Sequence, residues 1–332
     1  MARAKGSRPA GGALGAALLA LFLAGGLPTV AAAKDKVAFT MRDDRITESS
    51  GLVRDTAAQL YWTVNDSGSS GVVYGVTASG AVRGTLRYRA PVQDVEAVAL
   101  HDNRLYAADI GDNDEKRDQV TVYYFLNPRA NGLTVTYNAY DFRYPDGAHD
   151  AETLLVDGAG RLYLVTKGAT GGIYVAPKEP SRDEVNVLRK VADAPALVTD
   201  GVFLPGDDQI ALLTASSVEV LDAGTYRTVA TAPLPAVRQP ESLAVNLAGN
   251  GLLVGTEGTN SKVYAVAIPT AASATPSATP TASSAPGDTD DSGDTDAATP
   301  TAQARRGTYL AVGLAALVAI VAGVVVGVVR KP

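Results

Sequence analysis

The segment RLYAADIGDND, residues 104 to 114, places Asp109, Asp112, Asn113 and Asp114 in one turn. Like charges so close repel unless water or a cation intervenes. Lys116 and Arg117 follow at once and could cap the turn as a plain solvated loop. The other reading is a binding loop built on Asp109, Asp112, Asn113 and Arg117. Further acids recur at wide spacing. Glu48, Glu96, Glu152, Asp200 and Glu241 each open a short apolar run. Carboxylates from five separated segments act together only if the fold brings those segments to one place.

The surrounding pattern is a repeat. An acid precedes an apolar strand, a turn follows, then a strand often starting Leu-Tyr, a polar loop and a third strand. The copies begin at ESSGLV, EAVAL, ETLLV, DGVFL and ESLAV. Their second strands are LYWTVN, LYAAD, LYLVT, IALLT and LLVGT. Four copies carry a fourth strand, AVRGTLRY, TVTYNAYDF, VNVLRKVA and YRTVATA, and the fifth lacks one. An orphan strand, KVAFTM, stands at Lys36 before the first copy. Short β-branched and aromatic runs bounded by turn residues are strands. Five copies of about 47 residues fit a propeller repeat. The fold class is therefore all-β. It is a five-bladed β-propeller over residues 34–269, with the N-terminal strand completing the last blade and six blades as the alternative.

In such a blade the start of strand one and the end of strand two lie on the same face. The repeat acids should ring the mouth of the central channel. The loops after strand two should surround them, with Asn65, Asp66 and Ser67, the Asp109–Asp114 cluster, Lys167, Ser216, Ser217 and Glu257. Three residues before the repeat acid stand Arg45, Gln93, His149 and Arg238, with Leu197 breaking the series in blade four. Carboxylates crowded on an axis either stay protonated or bind a hard cation. An oxygen-only set, in a chain with two His and no Cys, suits Ca²⁺ rather than Zn²⁺.

The ends of the chain have other compositions. Residues 1–33 carry Arg3, Lys5 and Arg8, then a short apolar core, then Ala31-Ala32-Ala33, the pattern of a cleaved secretory signal. Residues 270–307 are Ala, Thr, Ser, Pro and Asp, the composition of a disordered stalk. Residues 308–329 form an apolar stretch long enough to span a bilayer as one helix, and residues 330–332 a short basic tail. Gly323 and Gly327 form one GxxxG, weak evidence for dimerisation. This organisation predicts a single-pass membrane protein with the propeller outside the cell. Without the leader, stalk and tail, the chain keeps 22 Lys and Arg against 30 Asp and Glu, a net charge near −8. Nucleic acid is then an improbable partner, because binding it rests on phosphate neutralisation. The expected partners are the membrane, through the C-terminal helix, and an extracellular ligand, wall polymer or protein.

The chain resembles the five-bladed calcium-activated nucleotidases (apyrases). The residues that carry the likeness are ESSGLV with LYWTVNDSGSSGVVYGV, DVEAVAL, DAETLLV, PESLAV and TDGVFLPGDDQIALL. The resemblance implies an axial Ca²⁺ held by a mixture of Ser and Glu. Ser50, Glu96, Glu152 and Glu241 match those ligand positions, and Thr199 or Asp200 stands where that family has a second Ser. ESSGL and DIGDN are also similar to esterase-like phytase relatives among extracytoplasmic propellers.

Two functions follow from these readings. The first is a surface-displayed binding propeller with Ca²⁺ on its axis. The alternative is a calcium-dependent phosphohydrolase acting on nucleotides or phosphate esters. In that reading Lys167, Arg117 and Arg238 hold phosphate, and Asp109, Asp112 or Glu152 acts as base. The chain has no thiol nucleophile, no GxSxG elbow and no P-loop.

Overall fold

A computed structural model of the chain describes residues 36–271, apart from 67, 69 and 70. The leader (1–33), all but the first two residues of the stalk, the apolar segment (308–329), the basic tail (330–332) and Ser67 lie outside the described residues. Among the described residues no helix is long and apolar enough to cross a membrane.

The described chain folds as five sheets, each with four antiparallel strands and two of them with a short fifth strand added parallel. Blade one holds β2 (Ser49–Asp55), β3 (Leu60–Asn65), β4 (Gly71–Val76) and β5 (Val82–Tyr88). Blade two holds β6 (Val95–His101), β7 (Arg104–Asp109), β8 (Val120–Leu126) and β10 (Asn138–Arg143). Blade three holds β11 (Ala151–Val156), β12 (Leu162–Thr166), β13 (Gly171–Val175) and β15 (Arg189–Ala194). Blade four holds β16 (Val198–Phe203), β17 (Gln209–Thr214), β18 (Ser217–Asp222) and β19 (Thr228–Pro233). Blade five holds β20 (Pro240–Val245), β21 (Leu252–Thr256), β22 (Lys262–Val266) and, as its outer strand, β1 (Lys36–Thr40). The inner strands β2, β6, β11, β16 and β20 touch in that cyclic order, and β20 meets β2 again.

The ring closes as the sequence predicts. β1 pairs antiparallel with β22, from Lys36↔Ala265 to Thr40↔Lys262, so the chain's first strand finishes its last blade. One apolar cluster fills each of the five seams between blades. The seam of blades two and three is aromatic, with Tyr106, Tyr124, Tyr140, Phe142, Tyr144 and Tyr174. The seam of blades four and five is built from Leu, Val and Ala, including Leu213, Val220, Leu243 and Val254. Sheets packed face to face hold together through such interdigitated faces, which is why a chain without Cys forms a domain of this size.

The fourth strands depart from expectation in two places. TVTYNAYDF is not one strand. Its first residues form β9 (Thr134–Val135), which crosses to blade one and pairs parallel with β5. Only its second half is β10 of blade two. VNVLRKVA divides in the same way. β14 (Asn186–Val187) pairs parallel with β10 of blade two, and β15 stays in blade three. Each strap covers an outer edge that would otherwise expose unpaired backbone groups.

Because β1 is the outer strand of blade five, removing residues 34–40 should expose the edge of β22 and loosen the closure of the ring. The expected result is a midpoint of thermal unfolding lower by roughly 10 °C, the shift that a loss of several kcal/mol produces in a domain of this size, measured by calorimetry on the truncated chain. An unchanged midpoint would show that closure does not depend on this strand.

Candidate functional site: an acidic mouth on the propeller axis

Every inner strand carries a break in register near its start. Partners skip one residue between Ser50 and Leu52, Val95 and Ala97, Ala151 and Thr153, Val198 and Asp200, and Pro240 and Ser242. A bulge adds one unpaired residue and re-aims its side chain. The equivalent residues are therefore Gly51, Glu96, Glu152, Thr199 and Glu241. Two of the repeat acids are not at this position. Glu48 stands just before β2, and Asp200 lies one residue further along β16.

Blade one has glycine at its bulge for a steric reason. Gly51 has a φ of +63°, and a Cβ there would lie 2.8 Å from Val98 N and 2.9 Å from Ala97 Cα on the next inner strand. The preceding Ser50 supplies the polar group instead. Its hydroxyl donates to Glu96 O at 2.5 Å and to Glu96 Oε2 at 3.2 Å. In blade four the Thr199 hydroxyl donates to Pro240 O at 2.7 Å. Three blades thus bring carboxylates to the axis and two bring hydroxyls. Asp200 is fully buried below them. It accepts from Gly201 N at 2.7 Å and from Leu243 N at 2.6 Å, so it ties the inner strand of blade four to that of blade five. Burial pushes its carboxyl well above the ordinary range despite these donors.

The three glutamates share one electrostatic problem. Burial pushes Glu96 up to about 10, and Glu152, Asp94, Asp66 and Asp150 push it in the same direction. Burial raises Glu241 to about 7, with Glu152 adding to the rise and Lys167 opposing it. Glu152 is also raised, by burial first, although Lys167 pulls it down. Lys167, from the loop after β12, forms an ion pair with Glu152 and is itself raised by that partner against its own burial. Asp94 is raised by burial and lowered by its hydrogen bond with Glu96.

Asp94 and Asp150 belong to this mouth, and sequence reasoning missed them. Both stand two residues before the bulge glutamate, in DVE and DAE. A longer unit repeats with them, Tyr-x5-Asp-x-Glu from Tyr88 to Glu96 and again from Tyr144 to Glu152. That repetition was the available signal.

The Asp109–Asp114 turn lies on this face, as the topology predicts, but its acids have local duties. Asp109 is almost fully buried. Its Oδ1 accepts from Asp94 N at 3.0 Å and Arg117 Nη1 at 2.8 Å, and its Oδ2 from Gln93 N at 2.9 Å. Asp112 Oδ2 accepts from Arg117 N at 2.7 Å, while Asp112 N donates to Asp150 Oδ1 at 2.8 Å. Arg117 also donates to Gly111 O at 2.8 Å. Gly111 has no room for a side chain, because a Cβ would lie 2.4 Å from Asp94 Oδ2 and 2.7 Å from Glu96 Oε1. The turn braces Asp94, Glu96 and Asp150. Asn113 stays exposed, with its Nδ2 3.4 Å from Asp94 Oδ2. Arg238 is exposed in the loop before β20.

Of the residues expected to bind metal, Ser50, Glu96, Glu152 and Glu241 do share the mouth, and Asp200 sits below it with backbone N–H partners. Among the described residues, no three Asp, Glu, His or Cys side chains are close enough together to hold a metal ion.

No known family pattern matches the chain, and no curated protein matches it either. Among solved structures it is similar to hydrazine synthase of Kuenenia stuttgartiensis, at 15% identity and a TM-score of 0.39, over 64% of this chain and 56% of that one. It is also similar to a chain of the Nidogen/Laminin complex, at 16% identity and a TM-score of 0.40, over 64% of this chain and 73% of that one. Likeness this distant transfers neither activity nor partners.

The raised carboxyls set a pH dependence. A folded state that binds protons more tightly than the unfolded one loses stability as pH rises. For Glu96 the loss begins above the ordinary Glu value of 4.5 and continues towards about 10, and for Glu241 it is complete near 7. Glu96→Gln should therefore raise the unfolding midpoint at pH 8 and leave it unchanged at pH 4.5, followed by thermal melts across that range. A variant less stable than the parent at pH 8 would show that the Glu96 charge is already compensated.

Proposed function

We propose that the chain is a non-catalytic binding module, held outside a membrane by its C-terminal apolar segment, that engages its ligand through the acidic mouth. The observation that carries this reading is the convergence of Glu96, Glu152 and Glu241 on one axis with Lys167 as their near counter-charge. A mouth of that kind favours cations and cationic groups and disfavours phosphate. The charge of about −8 over the expected propeller supports the exclusion of nucleic acid.

The binding reading is favoured over phosphohydrolysis by what the candidate cations already do. Arg117 is taken up by Asp109 and Gly111, and Lys167 by Glu152. Asp109 and Asp112, the candidate bases, accept backbone and guanidinium donors.

Ca²⁺ is the proposed ion. The donor chemistry suits it, since Glu96, Glu152, Glu241 and the Ser50 hydroxyl offer oxygen alone. These residues would have to draw closer together to hold it than they stand here, and its chemical contribution would be neutralisation of carboxylates that otherwise repel. The Glu152–Lys167 ion pair competes directly with the ion. Raising Ca²⁺ to millimolar concentration should therefore raise the unfolding midpoint modestly in the parent. Lys167→Met should unfold at a lower temperature in chelator and gain considerably more from Ca²⁺, with isothermal titration reporting at least tenfold tighter Ca²⁺ binding. If neither chain responds to Ca²⁺ by melting or titration, the axial cation is wrong.

A further inference from the structure

The face opposite the acids holds a cavity of about 570 Å³ between blades one and two. Its walls come from the β2–β3 turn, the β6–β7 turn and the connection that leaves β8 for the strap β9. The residues with donors and acceptors are Asn103, Asn127, Asn131, Arg83, Arg129 and Asp55.

This cavity has a fixed frame. Asp55 accepts from Ala58 N at 2.8 Å and from Trp62 Nε1 at 3.0 Å, which uses both of its oxygens. Arg83 Nη1 donates to Ala58 O at 2.5 Å, which sets the guanidinium against the turn. Asn127 N donates to Asn103 O at 2.8 Å, and both residues hold a left-handed backbone, with φ of 51° and 58°.

The 127–131 loop is seated by a gap in blade one. Gly75 and Gly84 are cross-strand partners on β4 and β5. A Cβ on Gly75 would lie 2.7 Å from Ala130 Cβ, and one on Gly84 would lie 2.2 Å from Ala130 O. The glycine pair makes a window that admits Ala130. Gly132 N then donates to Thr85 O at 2.7 Å and Arg87 N to Leu133 O at 3.1 Å, which pins the far end of the loop. With its backbone docked, the exposed side chains of Asn127, Arg129 and Asn131 line the cavity.

The lining identifies a ligand class. Asp55 has each of its oxygens taken by an internal donor. Arg83 spends two N–H groups on Ala58 O and Gln59 O and keeps the others, and Arg129 keeps its guanidinium N–H groups for a negative charge. Asn103 and Asn127 each offer a donor and an acceptor, and Asn131 offers its donors while its oxygen accepts from Leu133 N at 3.1 Å. An anion alone would need only the arginines, whereas vicinal hydroxyls match amides that donate and accept together. Trp62 is wholly buried under Asp55, so the cavity has no exposed ring for stacking. We infer that this cavity binds a polyhydroxylated ligand bearing a negative charge, an acidic saccharide held by Arg129, Arg83 and the Asn127, Asn131 and Asn103 amides. It is separate from the acidic mouth, and either site can fail without the other.

Titration of the full chain with trigalacturonate, glucose 6-phosphate and maltotriose tests this, with ligand-observed NMR and calorimetry as readouts. Saturable binding of the carboxylated probe, the phosphorylated probe or both, with none of maltotriose, supports the site and identifies the source of the charge. Arg129→Ala combined with Asn127→Gly removes exposed side chains while keeping the left-handed backbone at 127 unstrained, and should weaken that binding at least tenfold at an unchanged melting midpoint. Glu96→Gln should leave it unaltered. Gly84→Ala should weaken it by unseating Ala130. Absence of saturable binding by both charged probes, equal binding of maltotriose, or full binding in the Arg129/Asn127 double variant would overturn the inference.

Discussion

The structure depends on a closed ring bringing five inner strands together at their first residues. Each inner strand carries a bulge there, so whatever residue occupies it is delivered to the axis. The glutamates there are largely buried, and like charges raise each other's proton affinity. The chain limits the charge accordingly. Two blades place Gly51 and Thr199 at the bulge, three place glutamate, and Lys167 enters from a neighbouring loop to meet Glu152. Asp200 is tolerated beneath them because backbone N–H groups of two blades surround it.

The same constraint explains the Asp-rich turn. A bare Asp cluster would add to the repulsion at the mouth. Here Asp109 and Asp112 face backbone donors and Arg117, so their charge is absorbed locally and the turn becomes a brace. Gly111 lets the carboxylates of Asp94 and Glu96 approach its backbone. Acids with one function in the sequence pattern thus divide into two roles, some facing the axis and others holding them in place.

The opposite face is organised differently. Blades one to three are joined at their outer edges by parallel straps, and the seam of blades two and three is aromatic, whereas the seam of blades four and five is aliphatic and carries no strap. The strap from blade two to blade one needs a Gly75–Gly84 window in its neighbour. In a propeller of near-identical blades, such a window and the loop it admits mark one seam apart from the others. The acids and the arginine-bearing cavity therefore lie on different faces and are built from different parts of each blade.

Much of this was legible in the sequence because strand periodicity and turn residues are local properties. The fivefold repeat, the strand that closes the ring and the sharing of one face by Glu96, Glu152, Glu241 and the Asp109 turn all follow from them. Partners across strands are not local. In blade one the string ESSGLV invites alignment on Glu48, yet pairing with β3 puts Gly51 at the bulge, because the next inner strand leaves no space for a Cβ. TVTYNAYDF has the composition of one strand, and only the neighbouring blade's free edge decides that it divides. By itself the sequence pointed to five blades, their order, and Glu96, Glu152 and Glu241 at the axis. The tertiary structure alone decided which acids face each other, which are neutralised by Arg117, Lys167 or backbone N–H groups, and where glycine admits a neighbour, because each depends on distances between strands remote in the chain.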